Sequence, residues 1–138
     1  MQSYKIFYLL LLSGSDLAGE TAAALAASSI VFSSVDPEYS AKCLEHAKDL
    51  YKFADVYRGL YHEAIRGAER YYESTDYGDE LAWAAIWLFK ATGDTKYFDD
   101  AIHHYQHFHL KERPNAFFYN KKVAGIQVKF LIYILFLF

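Results

Sequence analysis

Nine consecutive residues without charge, LAWAAIWLF at positions 81–89, directly follow two adjacent carboxylates, Asp79 and Glu80. A helix through this stretch is apolar on nearly all of its sides. Such a helix is stable where other parts of the protein cover it on more than one side. The stretch therefore predicts a core helix over residues 79–92, surrounded by other helices.

Three further helices are predicted, over residues 17–32, 38–54 and 95–108. The first has Asp16 as its expected N-cap, Glu20 in its first turn and small side chains that permit close packing on both faces. The second and the last are amphipathic. Their apolar stripes include Cys43, which is expected to be buried, whereas His103 and His104 are expected on the solvated face of the last helix.

The two helix pairs share one turn pattern. DPEYSAKC (36–43) and DTKYFDDA (94–101) each place an aspartate three residues before a tyrosine, so Asp36 and Asp94 are expected to cap the helices that follow. Each pair joins an inner apolar helix to an outer amphipathic one, and such hairpins cannot bury their inner faces alone. The turns are spaced far more widely than the tetratricopeptide period of about 34 residues, which favours a closed toroid over an open solenoid. The predicted fold class is all-α, with strand signals only in the last residues.

Composition excludes several classes of protein. With 54% hydrophobic residues and a net charge of -3, the chain is not a disordered tail and offers no basic surface for nucleic acid. A single cysteine excludes an internal disulfide. No feature of the sequence sets the oligomeric state.

The two chain ends differ from the part between them. Residues 1–13 contain a lysine followed by a short apolar run and small residues, and they are interpreted as a signal-like or mis-joined segment. Residues 129–138 form an apolar tail of uncertain origin, too short to span a bilayer as a helix. A truncated or mis-joined gene end explains this tail as well as a membrane anchor does, and no membrane partner is predicted.

Three motifs carry a resemblance to a known family. GSDLAGETAAALAASSIVF (14–32), YYESTDYGDELAWAAIWLFKATGDTKYFDDA (71–101) and AFFYNKKVAGIQV (116–128) resemble, in this order, the middle of glycoside hydrolase family 9. These enzymes are cellulases with an (α/α)6 toroid. The resemblance covers residues 14–128 and implies a partial catalytic domain, with the toroid incomplete and apolar surface left uncovered.

The resemblance implies endo-acting hydrolysis of β-1,4-glucan with inversion at the anomeric carbon. That reaction needs a carboxylic acid for the leaving oxygen and a carboxylate for the attacking water, about 6.5–9.5 Å apart. The family's Asp-Ala-Gly-Asp base motif, its terminal acid glutamate and its His-x-Arg signature do not occur here. No catalytic residue is therefore assigned, and these 138 residues are expected to hydrolyse no cellulose by themselves.

The resemblance also implies an extracellular location, because the substrate is an insoluble extracellular polymer. Two hypotheses in which the chain is not an enzyme also agree with the sequence. One is a non-enzymatic α-helical repeat module that binds a protein partner in its groove. The other is a gene piece that does not fold stably.

Some members of the family bind a structural calcium ion through a loop that matches STDYGDE (74–80). The resemblance thus implies Thr75, Asp76, Asp79 and Glu80 as calcium ligands, which suits a cation that accepts six to eight oxygens. Asn120 stands where family members commonly have an aspartate that completes the metal shell. The alternative is that Asp79 and Glu80 cap and charge the following helix without any metal.

Pyranose rings present an apolar face, so glucan clefts are lined with aromatic side chains. By the resemblance, Tyr71 and Tyr119 match positions of stacking aromatics, and Ser74 stands where some members have a tryptophan. The alternative for each tyrosine is a place in the core. Trp83 and Trp87, one turn apart on the predicted core helix, are assigned to packing.

His103 and His107 have the i, i+4 spacing of a helical zinc pair. No glutamate follows in the His-Glu-x-x-His pattern, and both positions fall on the outer face of their helix. They are therefore interpreted as a solvated surface, together with Asp99 and Asp100.

Overall fold

The computed structural model of the chain describes residues 13–71 and 73–137. This part contains a single-turn 3-10 helix at Arg66–Ala68 and six α-helices: α1 Ser15–Phe32, α2 Pro37–Val56, α3 Tyr61–Ala64, α4 Gly78–Thr92, α5 Thr95–His107 and α6 Val123–Leu137. It has no β-strand, only an isolated antiparallel bridge between Phe118 and Lys121. The predicted all-α class is confirmed. The signal-like segment lies outside the described residues except for Ser13.

The inner helices α1 and α4 pack side by side. Ala22 and Ala26 of α1 are fully buried, as are Leu81 and Leu88 of α4. A Cβ atom on Gly19 of α1 would lie 3.0 Å from the carbonyl oxygen of Glu80, so the two backbones approach as closely as a glycine allows. The small side chains of α1 thus have the expected role of permitting close packing.

The outer helices α2 and α5 follow their inner partners through the two capped turns. The carboxylate of Asp36 accepts a hydrogen bond from Tyr39 N at 3.0 Å, and that of Asp94 accepts one from Lys96 N at 3.0 Å. Cys43 is buried on the inner side of α2, as predicted. The two pairs are therefore helical hairpins of one design, hairpin 1 (α1 and α2) and hairpin 2 (α4 and α5).

Asp16 does not cap α1, contrary to the prediction. The helix begins two residues earlier than predicted because Ser15 is held on both sides, its N–H donating to Gly59 O and its hydroxyl to Ala54 O, each at 2.8 Å. Asp16 is fully buried in the first turn and accepts from Tyr61 N at 3.1 Å. Its carboxylate therefore fastens the start of α3 to α1, a contact between residues 45 positions apart.

The strand signal in the last residues was wrong, because this segment continues α6. Ile126 is fully buried, and Phe130 packs edge-on against Phe98 of α5 at a ring distance of 5.8 Å. Packing against hairpin 2 outweighs the local preference of β-branched and aromatic residues for strands. None of the described helices is both long enough and apolar enough to cross a bilayer.

Apolar surface is left uncovered at the two sides of the helical array. Large hydrophobic side chains of α1 and α6 that are exposed are Leu17, Val31, Phe32, Val128, Leu131, Ile132, Ile134 and Leu135. The expectation of an uncovered apolar flank is confirmed.

Candidate functional site

A cavity of about 500 Å³ lies at the N-terminal end of α4. Its walls come from the loop before α4 and from the segment between α5 and α6, and they include Thr75, Asp76, Asp79, Asn120 and Arg113. The cavity therefore brings together three of the four predicted calcium ligands and the asparagine that resembles a fourth. Glu80 is not among its lining residues.

Asp76 lies just before the N-cap of α4, which is Tyr77 and makes no side-chain capping hydrogen bond. The Oδ1 of Asp76 accepts hydrogen bonds from Tyr77 N at 2.7 Å and from Gly78 N at 3.0 Å, so it satisfies the first free N–H group of the helix. Gly78 is required at this point because a Cβ atom there would lie 2.2 Å from the ring of Phe108. The loop is further closed by Ser74, which is buried and donates its hydroxyl to the carbonyl of Asp76 at 2.7 Å.

Asp79 is turned toward the segment before α6. Its Oδ2 accepts a hydrogen bond from Lys122 N at 2.6 Å, and the carboxylate is buried. The prediction that Asp79 caps α4 is therefore wrong, because its side chain reaches across to residue 122 and not back to the helix start. It still adds negative charge to the first turn of the helix, as expected.

Lys122 is a buried lysine whose contacts the sequence did not reveal. Its buried ammonium pairs with Glu20 Oε1 at 2.8 Å and donates to the carbonyls of Phe118 at 2.8 Å and Tyr119 at 2.5 Å. Burial raises the pKa of Glu20, and the ammonium opposes that shift. Lys122 thus ties the 117–121 segment to α1. Nothing in the spacing of lysines distinguished it from its exposed neighbour Lys121.

Glu80 is fully buried, and neither of its carboxyl oxygens has a hydrogen-bond donor among the described residues. Burial, and then the negative charge of Asp79, raise the pKa of Glu80 to about 10. Glu80 therefore carries a proton at neutral pH in this structure. Its carboxyl group lies beside that of Asp79, on the side facing α1.

The chemistry of the cavity fits a hard cation in part. Thr75, Asp76, Asp79 and Asn120 offer hydroxyl, carboxylate and amide oxygens, which are the donors that calcium takes. Within residues 13–71 and 73–137, no three His, Cys, Asp or Glu side chains lie close enough together to hold a metal. Calcium binding stays a prediction, with the carboxylates of Asp76 and Asp79 on the cavity and the protonated Glu80 outside its lining.

Aromatic side chains are exposed within the 117–121 segment and at Tyr71. Tyr119 is 66% exposed and Tyr71 is 89% exposed, so neither belongs to the core, and neither lines the cavity. Phe117, also exposed, rests edge-on against Trp83 at a ring distance of 5.8 Å. Trp83 and Trp87 are half-buried against the core, as their assignment to packing predicted. A sugar-binding role for Tyr71 and Tyr119 stays a prediction.

The histidines of α5 differ from one another. His103 and His107 are exposed, with stacked rings 5.7 Å apart, in agreement with a solvated face. His104 was wrongly placed there, since it is only 2% exposed and lies 3.1 Å from Tyr51 Oη. It continues the apolar stripe 97, 101, 104, 108, a 4-3-4 spacing that identifies it. Asp99 is exposed as expected, whereas Asp100 is half-buried.

Burial lowers the pKa of His104 to about 4, although the carboxylate of Asp55 opposes that shift. Asp55 Oδ1 lies 3.5 Å from His104 Nε2 and pairs with Arg58 at 2.7 Å. At neutral pH His104 is therefore an uncharged core residue that joins α5 to α2 through Tyr51.

Known proteins match most of this chain. The sequence model of Glycosyl hydrolase family 9 matches residues 5–136. Endoglucanase 10 of Arabidopsis thaliana is 48% identical over 115 residues, which are 83% of this chain and 22% of that protein. Endoglucanase B of Cellulomonas fimi is 45% identical over 123 residues, which are 88% of this chain and 12% of that protein.

Solved structures agree with the sequence relatives. The endoglucanase of the termite Nasutitermes takasagoensis superposes with a TM-score of 0.84 at 49% identity, over 87% of this chain and 28% of that one. The cellulase Cel9M of C. cellulolyticum in complex with cellobiose gives a TM-score of 0.77 at 27% identity, over 88% of this chain and 28% of that one.

The chain belongs to glycosyl hydrolase family 9. Its two hairpins are part of the (α/α)6 toroid of that family. The chain spans between 12% and 28% of the length of these relatives, so it corresponds to a minor part of each.

Proposed function

We propose that this chain supplies part of the glucan-binding framework of an inverting endo-β-1,4-glucanase and hydrolyses no cellulose by itself. Membership of the family supports the substrate class. The 22% of Endoglucanase 10 that the chain covers, together with the missing acid and base motifs, supports inactivity in isolation. An extracellular location belongs to the same proposal, because cellulose is an extracellular polymer.

The observation that carries the proposal is the exposed aromatic turn at residues 117–119, next to the cavity. Lys122 holds the backbone of this turn through two carbonyls and pairs with Glu20 of α1. A turn held in this way presents Tyr119 as a rigid platform, and rigid aromatic surfaces bind the apolar face of a pyranose at low entropic cost.

Binding of cellohexaose tests the proposed platform. We expect Tyr119→Ala to weaken the affinity, measured by isothermal titration calorimetry, at least fivefold, and Tyr71→Ala to weaken it less. Tyr39→Ala is the matched control, because Tyr39 is 46% exposed but stands on α2. Equal affinity of Tyr119→Ala and Tyr39→Ala would exclude Tyr119 as a sugar contact.

Hydrolysis is tested separately with soluble carboxymethyl-cellulose. We expect the purified chain to release no reducing ends, even at chain concentrations that saturate cellohexaose binding. A longer protein that also carries the Asp-Ala-Gly-Asp and terminal glutamate motifs serves as the positive control. Turnover by the 138-residue chain would refute its inactivity while leaving the binding result intact.

We also propose that a calcium ion is held at the cavity by Thr75, Asp76, Asp79 and Asn120. Glu80, the remaining ligand implied by the resemblance, would join them only on losing its proton. The ion would tie the loop before α4 to the segment before α6. Calcium is expected to raise the melting temperature by several degrees, since a ligand that binds only the folded state stabilises it.

Asp79→Asn is the informative variant for calcium. It keeps an acceptor for Lys122 N but removes the charge, so the calcium-dependent rise in melting temperature should disappear. Asp99→Asn, on the exposed face of α5, is the matched control and should keep the rise. An identical response of both variants would remove Asp79 from the ligand set.

A further inference from the structure

Two lysines on neighbouring helices share one indole ring. Lys129 of α6 places its Nζ 3.6 Å from the centroid of the Trp87 ring, and Lys90 of α4 places its Nζ 5.3 Å from the same centroid. The Lys129 side chain is half-buried, whereas Lys90 is exposed. The two ammonium groups thus meet over one aromatic surface, at the contact between α4 and α6.

No carboxylate neutralises this pair in the part of the chain that the structure describes. The ion pairs there join Lys42, Arg58, His104 and Lys122 to acidic partners, and neither Lys90 nor Lys129 is among them. A cation over an indole is favourable, but a second cation beside it is repulsive. Loss of a proton from one of the two amines relieves that repulsion.

Of the two amines, Lys129 is the one that loses its proton, because of the groups around it. Burial, and then the charge of Lys90, lower the pKa of Lys129 to about 8. On its own helix Lys129 is the only charged residue, and α5 contacts α6 through Phe98 and Tyr105. The acidic residues of α4, Asp79 and Glu80, lie about 15 Å along the helix axis from Lys90.

We propose that Lys129 is a modification site, a nucleophilic amine that accepts an acyl group from an activated donor such as a thioester. The neutral amine attacks the acyl carbonyl carbon, and a C–N bond forms as the C–S bond breaks. The thiolate leaves with the bonding electron pair, and the amine proton passes to solvent. The product is an amide, so the reaction needs no oxidant or reductant.

The position of Lys129 also favours the modified state. Acylation removes one of two adjacent positive charges, whereas the aliphatic stem can stay packed on Trp87. Lys90 keeps its own contact with the ring. The charge of Lys90, which adds to the effect of burial on Lys129, is therefore relieved by the reaction itself.

Competitive labelling with a trace amount of acetic anhydride tests the proposal on the whole chain. The rate of acetylation is followed for each lysine by peptide mass spectrometry between pH 6 and 11. At pH 7.5 we expect Lys129 to react at least about tenfold faster than Lys96, since an ordinary lysine titrates near 10.4. Lys96 is the comparison, because it also lies over an aromatic ring, Tyr97 at 5.8 Å, and among the described residues no second lysine lies over that ring.

The variant Lys90→Gln isolates the contribution of the second charge, because the burial of Lys129 stays the same. Because Lys90 is exposed, its loss leaves the fold intact, and the labelling midpoint of Lys129 should move to higher pH with a several-fold slower rate at pH 7.5. Lys96→Gln should leave Lys129 unchanged. A Lys129 rate equal to that of Lys96 in the wild-type chain overturns the proposal, and so does an unchanged Lys129 rate in Lys90→Gln.

Discussion

The two hairpins share a design but differ in how completely their inner helices are covered. α4 packs against α1 on one side, α6 on another and its own outer partner α5. α1 packs against α2 and α4, and it leaves Leu17 and Val31 exposed. In a closed toroid every inner helix has an inner neighbour on both sides, and α1 has only one among the described helices. How completely an inner helix is buried therefore depends on its neighbours as well as on its own sequence.

The largest expected effect comes from the same substitution, leucine to alanine, made in each of the two inner helices. Leu81 near the start of α4 is fully buried, whereas Leu17 near the start of α1 is 52% exposed. We expect Leu81→Ala to lower the free energy of unfolding by about 3 kcal/mol, because it removes buried area and leaves a cavity. Leu17→Ala should lower it by less than about 1 kcal/mol. Urea denaturation followed by circular dichroism measures both.

Similar losses of stability for the two leucine variants would contradict the difference in burial between α1 and α4. They would mean that α1 is covered as fully as α4 in solution, for example by self-association. Repeating the denaturation at two protein concentrations separates these cases, since only an associated form depends on concentration.

Local sequence was enough to predict the shared design of the hairpins. The caps Asp36 and Asp94, the buried stripe with Cys43, and the core helix over LAWAAIWLF depend on residues within one or two turns of each other. The missed features, Asp16, His104 and Lys122, depend on partners 45, 53 and 102 residues away respectively, as in Asp16 with Tyr61, His104 with Tyr51 and Lys122 with Glu20. The roles of Asp16 and Lys122 come from tertiary contacts that no periodicity encodes. For His104 the apolar stripe of α5 encodes burial, but not the contact with Tyr51.

In the candidate site too, some features were predictable from the sequence and others depend on distant partners. The acidic loop was found from its resemblance to family members, and three of its four predicted ligands do share a cavity. Which carboxylate does what was not predictable. Asp76 accepts from the first N–H of the helix, Asp79 accepts from a residue 43 positions away, and Glu80 is buried without a donor. The orientation of each of these three side chains is set by the segment that packs against it.

The second prediction tests the contact between the outer helices of the two hairpins. The pKa of His104 is about 4 in the folded chain, against about 6.5 for an unfolded histidine. Between these values the unfolded state binds more protons, so the free energy of unfolding falls as the pH falls from about 6.5 to about 4. His104→Gln should remove on the order of 2 kcal/mol of this acid sensitivity.

His103→Gln is the matched control, because His103 is the adjacent residue of α5 but is exposed. Its unfolding free energy should follow that of the wild-type chain across the same pH range. An equal pH response of the wild-type chain and His104→Gln would show that His104 is not a buried neutral link between α2 and α5.

The third prediction concerns the feature that the hairpins share. Asp36 and Asp94 each accept one backbone N–H at 3.0 Å, so Asp36→Ala and Asp94→Ala should each lower stability by about 1 kcal/mol. Asp49→Ala, at an exposed position inside α2, should change it by less than about 0.5 kcal/mol. A clearly larger loss for Asp94→Ala would indicate that unfolding begins in hairpin 1 and that hairpin 2 limits global stability.

The smallest effect on stability is expected at the uncovered flank of α6. Leu131 and Ile134 are exposed there, so the double variant Leu131→Glu with Ile134→Glu should change the free energy of unfolding by less than about 1 kcal/mol. The same variant should clearly reduce binding of the dye ANS, which reports exposed apolar surface. Large destabilisation by the double variant would contradict an open flank. It would place these side chains under cover, and α6 would then resemble α4 in its burial more than α1.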